Sequence, residues 1–243
     1  MKRILVSTTM IILFNLCFSQ SQKGKMMKTG SSDNDSTITI EFYHDVLCAW
    51  CYALSPRVRK LAEQFAEVEV SQRGFALSPN KERISEVFGS KEEGKRQIIE
   101  HWRAANANDD NHRIKADLME GKTFDYPHSM PALMACKAAE LQGGQKAHWD
   151  YFDAVQKAHL TDCLNIDSPE VLIKVAASLN LNMEKFREDF RSTITKEAVE
   201  LDLRQAQNMG IYSVPTIVIN GKYKINGAVS YDNLKRAVQK IKN

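Results

Sequence analysis

Cys48 and Cys51 stand two residues apart in the stretch LCAWCYALSP, directly after an alternating apolar run. Cysteines at this spacing bind a metal, staple a loop or exchange electrons with other thiols. A structural zinc site takes four ligands, commonly from two such pairs or from one pair with spaced histidines. Cys136 and Cys163 are single, no suitably spaced histidine pair follows, and His44 would add one ligand at most, so no metal is expected. As a staple the pair is weak: closing a four-residue loop stabilises by roughly 2 kcal/mol, against roughly 3.5 kcal/mol for one of about 28 residues.

Thiol–disulfide exchange suits the pair better. Helix period begins at once, with Leu54, Val58, Leu61, Ala62 and Phe65 on one stripe. Cys48 then falls at a helix N-terminus, where free N–H groups and the helix dipole favour a thiolate. That makes Cys48 the nucleophile and leaving group. Cys51, one turn inside, is the resolving thiol. Pro56 sits early in this helix, and a kink is expected there.

The N-terminus speaks to the compartment. Lys2 and Arg3 precede the apolar run ILVSTTMIILFNLCFS, which is short for a bilayer span and ends in small residues, the layout of a secretory signal cleaved after Ser19. A lipid-modified Cys17 and a retained anchor are the other readings. Residues 20–36 are polar and rich in Ser, Gly, Lys and Asp, and read as a flexible linker. Export to the periplasm or beyond is therefore expected. Loss of Lys2 and Arg3 with residues 1–19 lowers the formal charge from +3 to +1, which gives no electrostatic case for nucleic acid or an anionic membrane. No membrane insertion is expected after cleavage. The mature chain keeps four cysteines, an even count that favours disulfide chemistry in an oxidising compartment.

The elements that must position the pair follow from periodicity. TITIEFYHD, from Thr37, alternates as a strand, and a second strand lies around 68–77. Residues 78–192 carry helical signals only. They include a Ser90/Glu93 capping box, Pro131 at a first helical position, a stop at Gly143-Gly144, and a start at Ser168-Pro169. A helix over about 195–209 ends at Gly210. SVPTIVING and KYKING then pair as a hairpin through Asn220-Gly221, and an amphipathic helix capped by Ser230 closes the chain. The order predicts a thioredoxin-like α/β fold built from 37–77 and 193–243, with 78–192 as a large all-helical insertion. With 43% hydrophobic residues the chain is able to bury such a core.

DVLCAWCYALSPRVRKLAEQF resembles the active-site segment of the DsbA family, in particular its FrnE-like branch, with Asp45 and Trp50 matching that branch's Asp and Trp. SVPTIVINGKYKINGA resembles the family's cis-proline segment, and the stretch from His128 to Leu160 resembles the branch's helical domain. The resemblance implies a protein disulfide oxidoreductase whose catalytic residues are Cys48 and Cys51, with Val214 and a cis Pro215 facing them and binding substrate. An X-Pro bond tolerates cis, which leaves the Val214 backbone open to an extended client segment. It also implies cysteine-containing client proteins and a redox partner that reoxidises or reduces the pair. No organic cofactor is needed, because the electrons reside on sulfur. Ala49 departs from the proline usual in the family, so the family's redox potentials do not carry over.

Trp50, His44 and Asp45 are candidate modulators of the cysteines, and Glu41 is a candidate buried proton acceptor whose face the alternation leaves open. Cys136 and Cys163 form a second redox pair, a structural bridge between helices, or two free buried thiols; a bridge needs Cα atoms within about 7 Å. His128, His148, His159, Trp102 and Trp149 read as structural. Two rival functions remain. One is a glutathione-dependent enzyme of the 2-hydroxychromene-2-carboxylate isomerase or kappa transferase type, which shares the insertion but generally lacks the second cysteine. The other is a polypeptide-binding chaperone with an idle disulfide.

Overall fold

The computed structural model describes residues 37–242, so the expected signal (1–19) and linker (20–36) lie outside the described residues. Strand β1 (Ile38–His44) pairs in parallel with β2 (Val68–Gly74) and antiparallel with β3 (Thr216–Ile219), which forms a hairpin with β4 (Tyr223–Asn226). The sheet order is β2-β1-β3-β4. Parallel pairing of β1 and β2 requires a crossover, and α1 (Ala49–Gln64) supplies it. The hairpin turns at Asn220 and Gly221, both with φ in the left-handed region that Asn and Gly tolerate.

Alternation along β1 divides its side chains between two layers. Ile38, Ile40 and Phe42 join the core beneath α1 and α9 (Tyr231–Lys242). Tyr43 packs on the other face with Val218, Ile211 and Ala206, the last on α8 (Thr193–Asn208). This is the expected thioredoxin-like arrangement. Between β2 and α8 the described chain is helical: α2 (Arg83–Phe88), α3 (Lys91–Asn108), α4 (Ala116–Glu120), α5 (Ser129–Gln156), α6 (Pro169–Ala177) and α7 (Met183–Asp189). One apolar core runs from the sheet into these helices, joining Phe42 and Leu54 to Trp102, Leu133, Phe152 and Phe186.

The local signals resolve as follows. Ser90 caps α3 by accepting from the Glu93 N–H at 3.1 Å, but the Glu93 carboxylate turns to Arg96 and Gln97 instead of returning to Ser90. Ser168 caps α6. Helix α5 starts at Ser129, two residues ahead of the expected Pro131, and leaves helical geometry at Gly143 and Gly144, where the stop was expected. Strand β2 ends at Gly74, short of the expected Leu77, because the Leu77 N–H leaves the ladder for the Asp45 carboxylate at 2.6 Å. Helix α1 runs on through Pro56. Proline has no N–H for the carbonyl four residues back, and Arg113 fills that vacancy by donating to the Tyr52 carbonyl at 2.7 Å while stacking on the Tyr52 ring.

Candidate active site

Beyond β1 the chain makes a tight turn, closed by the Cys48 N–H donating to the Asp45 carbonyl at 3.1 Å, and enters α1 with Cys48 as its N-cap. Cys48 Sγ takes the place a serine or aspartate oxygen usually holds there, accepting the Cys51 N–H at 3.2 Å. No acidic residue occupies the first turn of α1, so nothing there competes with a sulfur anion. The Cys51 thiol lies one turn inside, wholly buried. Burial first, then the neighbouring Cys48 sulfur, pushes its pKa well above the ordinary thiol value. The structure holds both as free thiols, the dithiol form.

The hairpin brings the second expected motif to the same sulfur. Val214–Pro215 is a cis peptide bond, and the Cys48 thiol donates to the Val214 carbonyl at 3.5 Å. Pro215 is buried and Val214 half-buried. Trp50 and Val214 line a cleft of about 500 Å³ that opens beside Cys48, whose other walls include Ile84, Val87, Phe88 and Trp102 from the insertion. Its wall is apolar, with Arg83 and His101 as the cationic or titratable exceptions apart from Cys48 and Tyr126.

Of the polar candidates, Asp45 belongs to the site and Glu41 does not. Asp45 Oδ1 accepts from the Leu47 N–H at 3.0 Å; Oδ2 accepts from the Leu77 N–H at 2.6 Å and the Ser129 hydroxyl at 2.7 Å. Burial drives its carboxyl up to about 6 despite these donors. Its charge is felt at Cys51, whose thiol it helps to raise. Glu41 lies on the Tyr43 side of β1, away from α1, half-buried and paired with Arg73 at 2.9 Å. The buried acid beside the cysteines is therefore Asp45.

His44 is also redirected. Its ring lies 3.8 Å from that of Phe152 between centroids, and its Nε2 meets His148 Nε2 at 3.2 Å. His148 Nδ1 faces the Glu140 carboxylate at 2.7 Å, so it carries the proton; its Nε2 then accepts from His44, leaving His44 Nδ1 without a partner. Burial lowers both imidazole pKa values, keeping the rings neutral. Burial also raises Glu140, but the hydrogen bond from His148 and the Lys137 ammonium outweigh it and hold the carboxyl below its ordinary value. The chain continues from Lys137 to Asp202 on α8 at 2.8 Å. His44 thus ties the sheet to α5 and contacts neither sulfur through a hydrogen bond. His159 is likewise structural, bonded to the Tyr126 hydroxyl at 3.2 Å, and His128 donates its backbone N–H to the Asp167 carboxylate at 3.0 Å.

Of the three readings for Cys136 and Cys163, the structure holds them as two free buried thiols, with no bridge between them. Cys163 donates to the Lys115 carbonyl at 3.3 Å, which satisfies its one donor. Burial raises the pKa of both thiols. Three side chains, Ser129 and Gln156 at the active-site turn and Arg113 at the Tyr52 carbonyl of α1, had no sequence signal. Each sits in a helical or loop stretch with ordinary composition, 61 or more residues from the backbone or side chain it serves.

The sequence matches the DSBA-like thioredoxin domain over residues 39–239. A ClpXP adapter protein SpxH of Bacillus licheniformis is 27% identical over 199 residues, 79% of this chain and 63% of the relative. SpxH of Bacillus subtilis is 27% identical over 206 residues, 80% of this chain and 64% of the relative. The chain thus spans a little under two thirds of the length of these curated relatives. Among solved structures, the cytosolic disulfide reductase DsbM from Pseudomonas aeruginosa is similar with a TM-score of 0.65 at 20% identity, over 84% of this chain and 98% of that one. A 2-hydroxychromene-2-carboxylate isomerase gives 0.59 at 14% identity, over 84% and 95%. At such identities these two likenesses concern the fold alone.

Proposed function

The chain belongs to the DSBA-like thioredoxin domain family, and from that premise we propose that it is an exported thiol–disulfide oxidoreductase working through Cys48 and Cys51 on cysteine-containing proteins. One observation carries the reading: Cys48 Sγ caps α1, bonded to the Cys51 N–H, beside the Val214 carbonyl and an open cleft.

The chemistry is an exchange of two electrons. A client thiolate attacks Cys48 of the disulfide form and displaces Cys51, which leaves as a thiolate and takes a proton. The client's second thiolate then attacks its own bridged sulfur and releases Cys48, so the client gains a disulfide and the protein gains two thiols. A redox partner restores the pair. In reverse, Cys48 attacks a client disulfide and Cys51 resolves the bridge. The raised thiol of Cys51 suits the resolving role, since it stays protonated until the mixed disulfide forms. The Val214 backbone is placed to pair with an extended client segment held at Cys48, and similarity to adapter proteins, which engage other polypeptides, supports a protein client. Export is supported by the signal-like run at residues 1–19; the mass of the mature protein after cell fractionation tests it.

Equilibration of the mature protein with glutathione tests the function and sets its direction. A potential near about −120 mV makes the protein a disulfide donor, and one near about −270 mV a reductase or isomerase. A pair that never exchanges removes the proposal. The apolar cleft favours one second reading, a glutathione-dependent isomerase or transferase of a small apolar substrate. Cys51→Ser separates the two: it ends electron transfer but spares isomerisation.

A further inference from the structure

Gln156, the last residue of α5, is wholly buried. Its side-chain amide donates to the Cys48 carbonyl at 3.0 Å and the Asp45 carbonyl at 3.1 Å, with the Val46 carbonyl at 3.5 Å. The reverse orientation would set Oε1 against three carbonyl oxygens, so the NH2 group faces them. Oε1 itself has no partner. A buried amide that leaves its oxygen unpaired is costly, and Gln156 follows Phe152 and Val155, which are plain core. The two carbonyls it bridges are the ends of the turn that delivers Cys48 to the N-cap.

We propose that Gln156 is a positioning residue for Cys48, a latch from the insertion that selectively stabilises the dithiol form; the proposal rests on the oxidoreductase reading above. In the disulfide form the S–S bond closes the Cys48–Cys51 stretch covalently and the latch is redundant. In the dithiol form no covalent link holds Cys48 Sγ against the Cys51 N–H. There the carbonyl of Cys48, which also accepts the Cys51 and Tyr52 N–H groups at 3.0 and 3.2 Å, is kept in register by Gln156. Loss of the amide therefore costs the dithiol form more than the disulfide form.

The test compares Gln156→Met, of similar length and without donors, with wild type, unfolding each protein in denaturant as dithiol and as disulfide. The unfolding constant of the dithiol form should worsen about tenfold more than that of the disulfide form, and the potential should move about 30 mV negative, the equivalent of that tenfold change. Gln156→Glu keeps the shape but turns the donor into an acceptor, and should act in the same direction more strongly. A merely structural glutamine would weaken both forms equally and leave the potential unchanged, and that result overturns the proposal. If wild type does not exchange with glutathione while the losses stay unequal, the oxidoreductase reading falls and the latch stands. A chain that forms no Cys48–Cys51 disulfide overturns both.

Discussion

Cys48 and Cys51 lie where β1 passes into α1, Cys136 and Cys163 lie in the helical insertion, and all four thiols are buried. Burial raises three of them, Cys51, Cys136 and Cys163, in the same direction. What separates the regions is the company each sulfur keeps. Cys48 receives a backbone N–H, faces the Val214 carbonyl and borders a cleft of about 500 Å³. Cys163 spends its proton on the Lys115 carbonyl, and Cys136 sits among core side chains of α5. On the proposed function, the same residue type is a reagent in one region and a small apolar filler in the other.

The largest effect that could break this contrast is loss of Cys48. Cys48→Ser should reduce insulin reduction, or peptide oxidation, to the uncatalysed rate. Cys136→Ala with Cys163→Ala should leave that rate unchanged and cost about 1–2 kcal/mol of stability each. A rate that falls with the second pair would make Cys136 and Cys163 part of the electron path.

Alkylation of the native dithiol protein sharpens the contrast. Cys48 should react, while Cys136 and Cys163 should be protected by a factor of about 10³ or more, because their labelling waits for unfolding. Addition of denaturant should then release the remaining thiols together. Rapid native labelling of either insertion cysteine would show an opening that the packed core does not contain.

Asp45 allows a test by pH. Its folded-state pKa of about 6 lies above the 3.8 of an unperturbed Asp, so ionisation costs stability. The penalty is absent below pH 3.8 and complete once pH has risen through about 6, amounting to at most about 3 kcal/mol. Asp45→Asn cannot ionise, and its NH2 leaves the Leu77 and Leu47 N–H groups and the Ser129 hydroxyl with one acceptor oxygen to share. Wild type should be the more stable at pH 4, and its advantage should shrink as pH rises to 7. An advantage that is flat in pH contradicts the buried, ionisable Asp45; the insertion cysteines offer no such titration in this range.

How far these regions were legible follows from the range of the interactions that build them. The alternation of Ile38, Ile40 and Phe42, the stripe of α1 and the Asn220-Gly221 turn are local patterns, and the first two are enough to place Cys48 at a helix N-terminus. The cis bond at Pro215 and its approach to Cys48 came from the resemblance as much as from physics. Whether Glu41 lay beneath the cysteines was not legible in sequence, since which face of β1 meets α1 depends on where β3 and α8 return; Asp45 was marked only by its match to the family's aspartate. Gln156, Ser129 and Arg113 serve backbone groups far away in the chain, and an isolated glutamine in a helix carries no mark of the carbonyls it will meet. An even cysteine count left a Cys136–Cys163 bridge open, but pairing needs proximity and direction, which a count does not contain.

The smallest expected effect concerns the space above each sulfur. Gly94 in α3 lets α2 sit close: a Cβ there would lie 2.2 Å from Ile84 Cγ2 and 3.1 Å from a ring carbon of Phe88. Ile84 and Phe88 are walls of the cleft beside Cys48. Gly94→Ala gains about 1 kcal/mol of helix propensity but forces the stiff, branched Ile84 aside, an overpacking cost of about 1–3 kcal/mol. The net loss should be about 1 kcal/mol, a fall of roughly 2–4 °C in Tm for a domain of this size. Because α2 must shift, exchange with a peptide whose cysteine is flanked by an aromatic residue should change in rate, while alkylation of Cys136 and Cys163 stays as slow as before. A variant that loses stability with no change at Cys48 would mean that α2 plays no part in shaping the cleft, and that the contrast between the two regions ends at the helix N-cap.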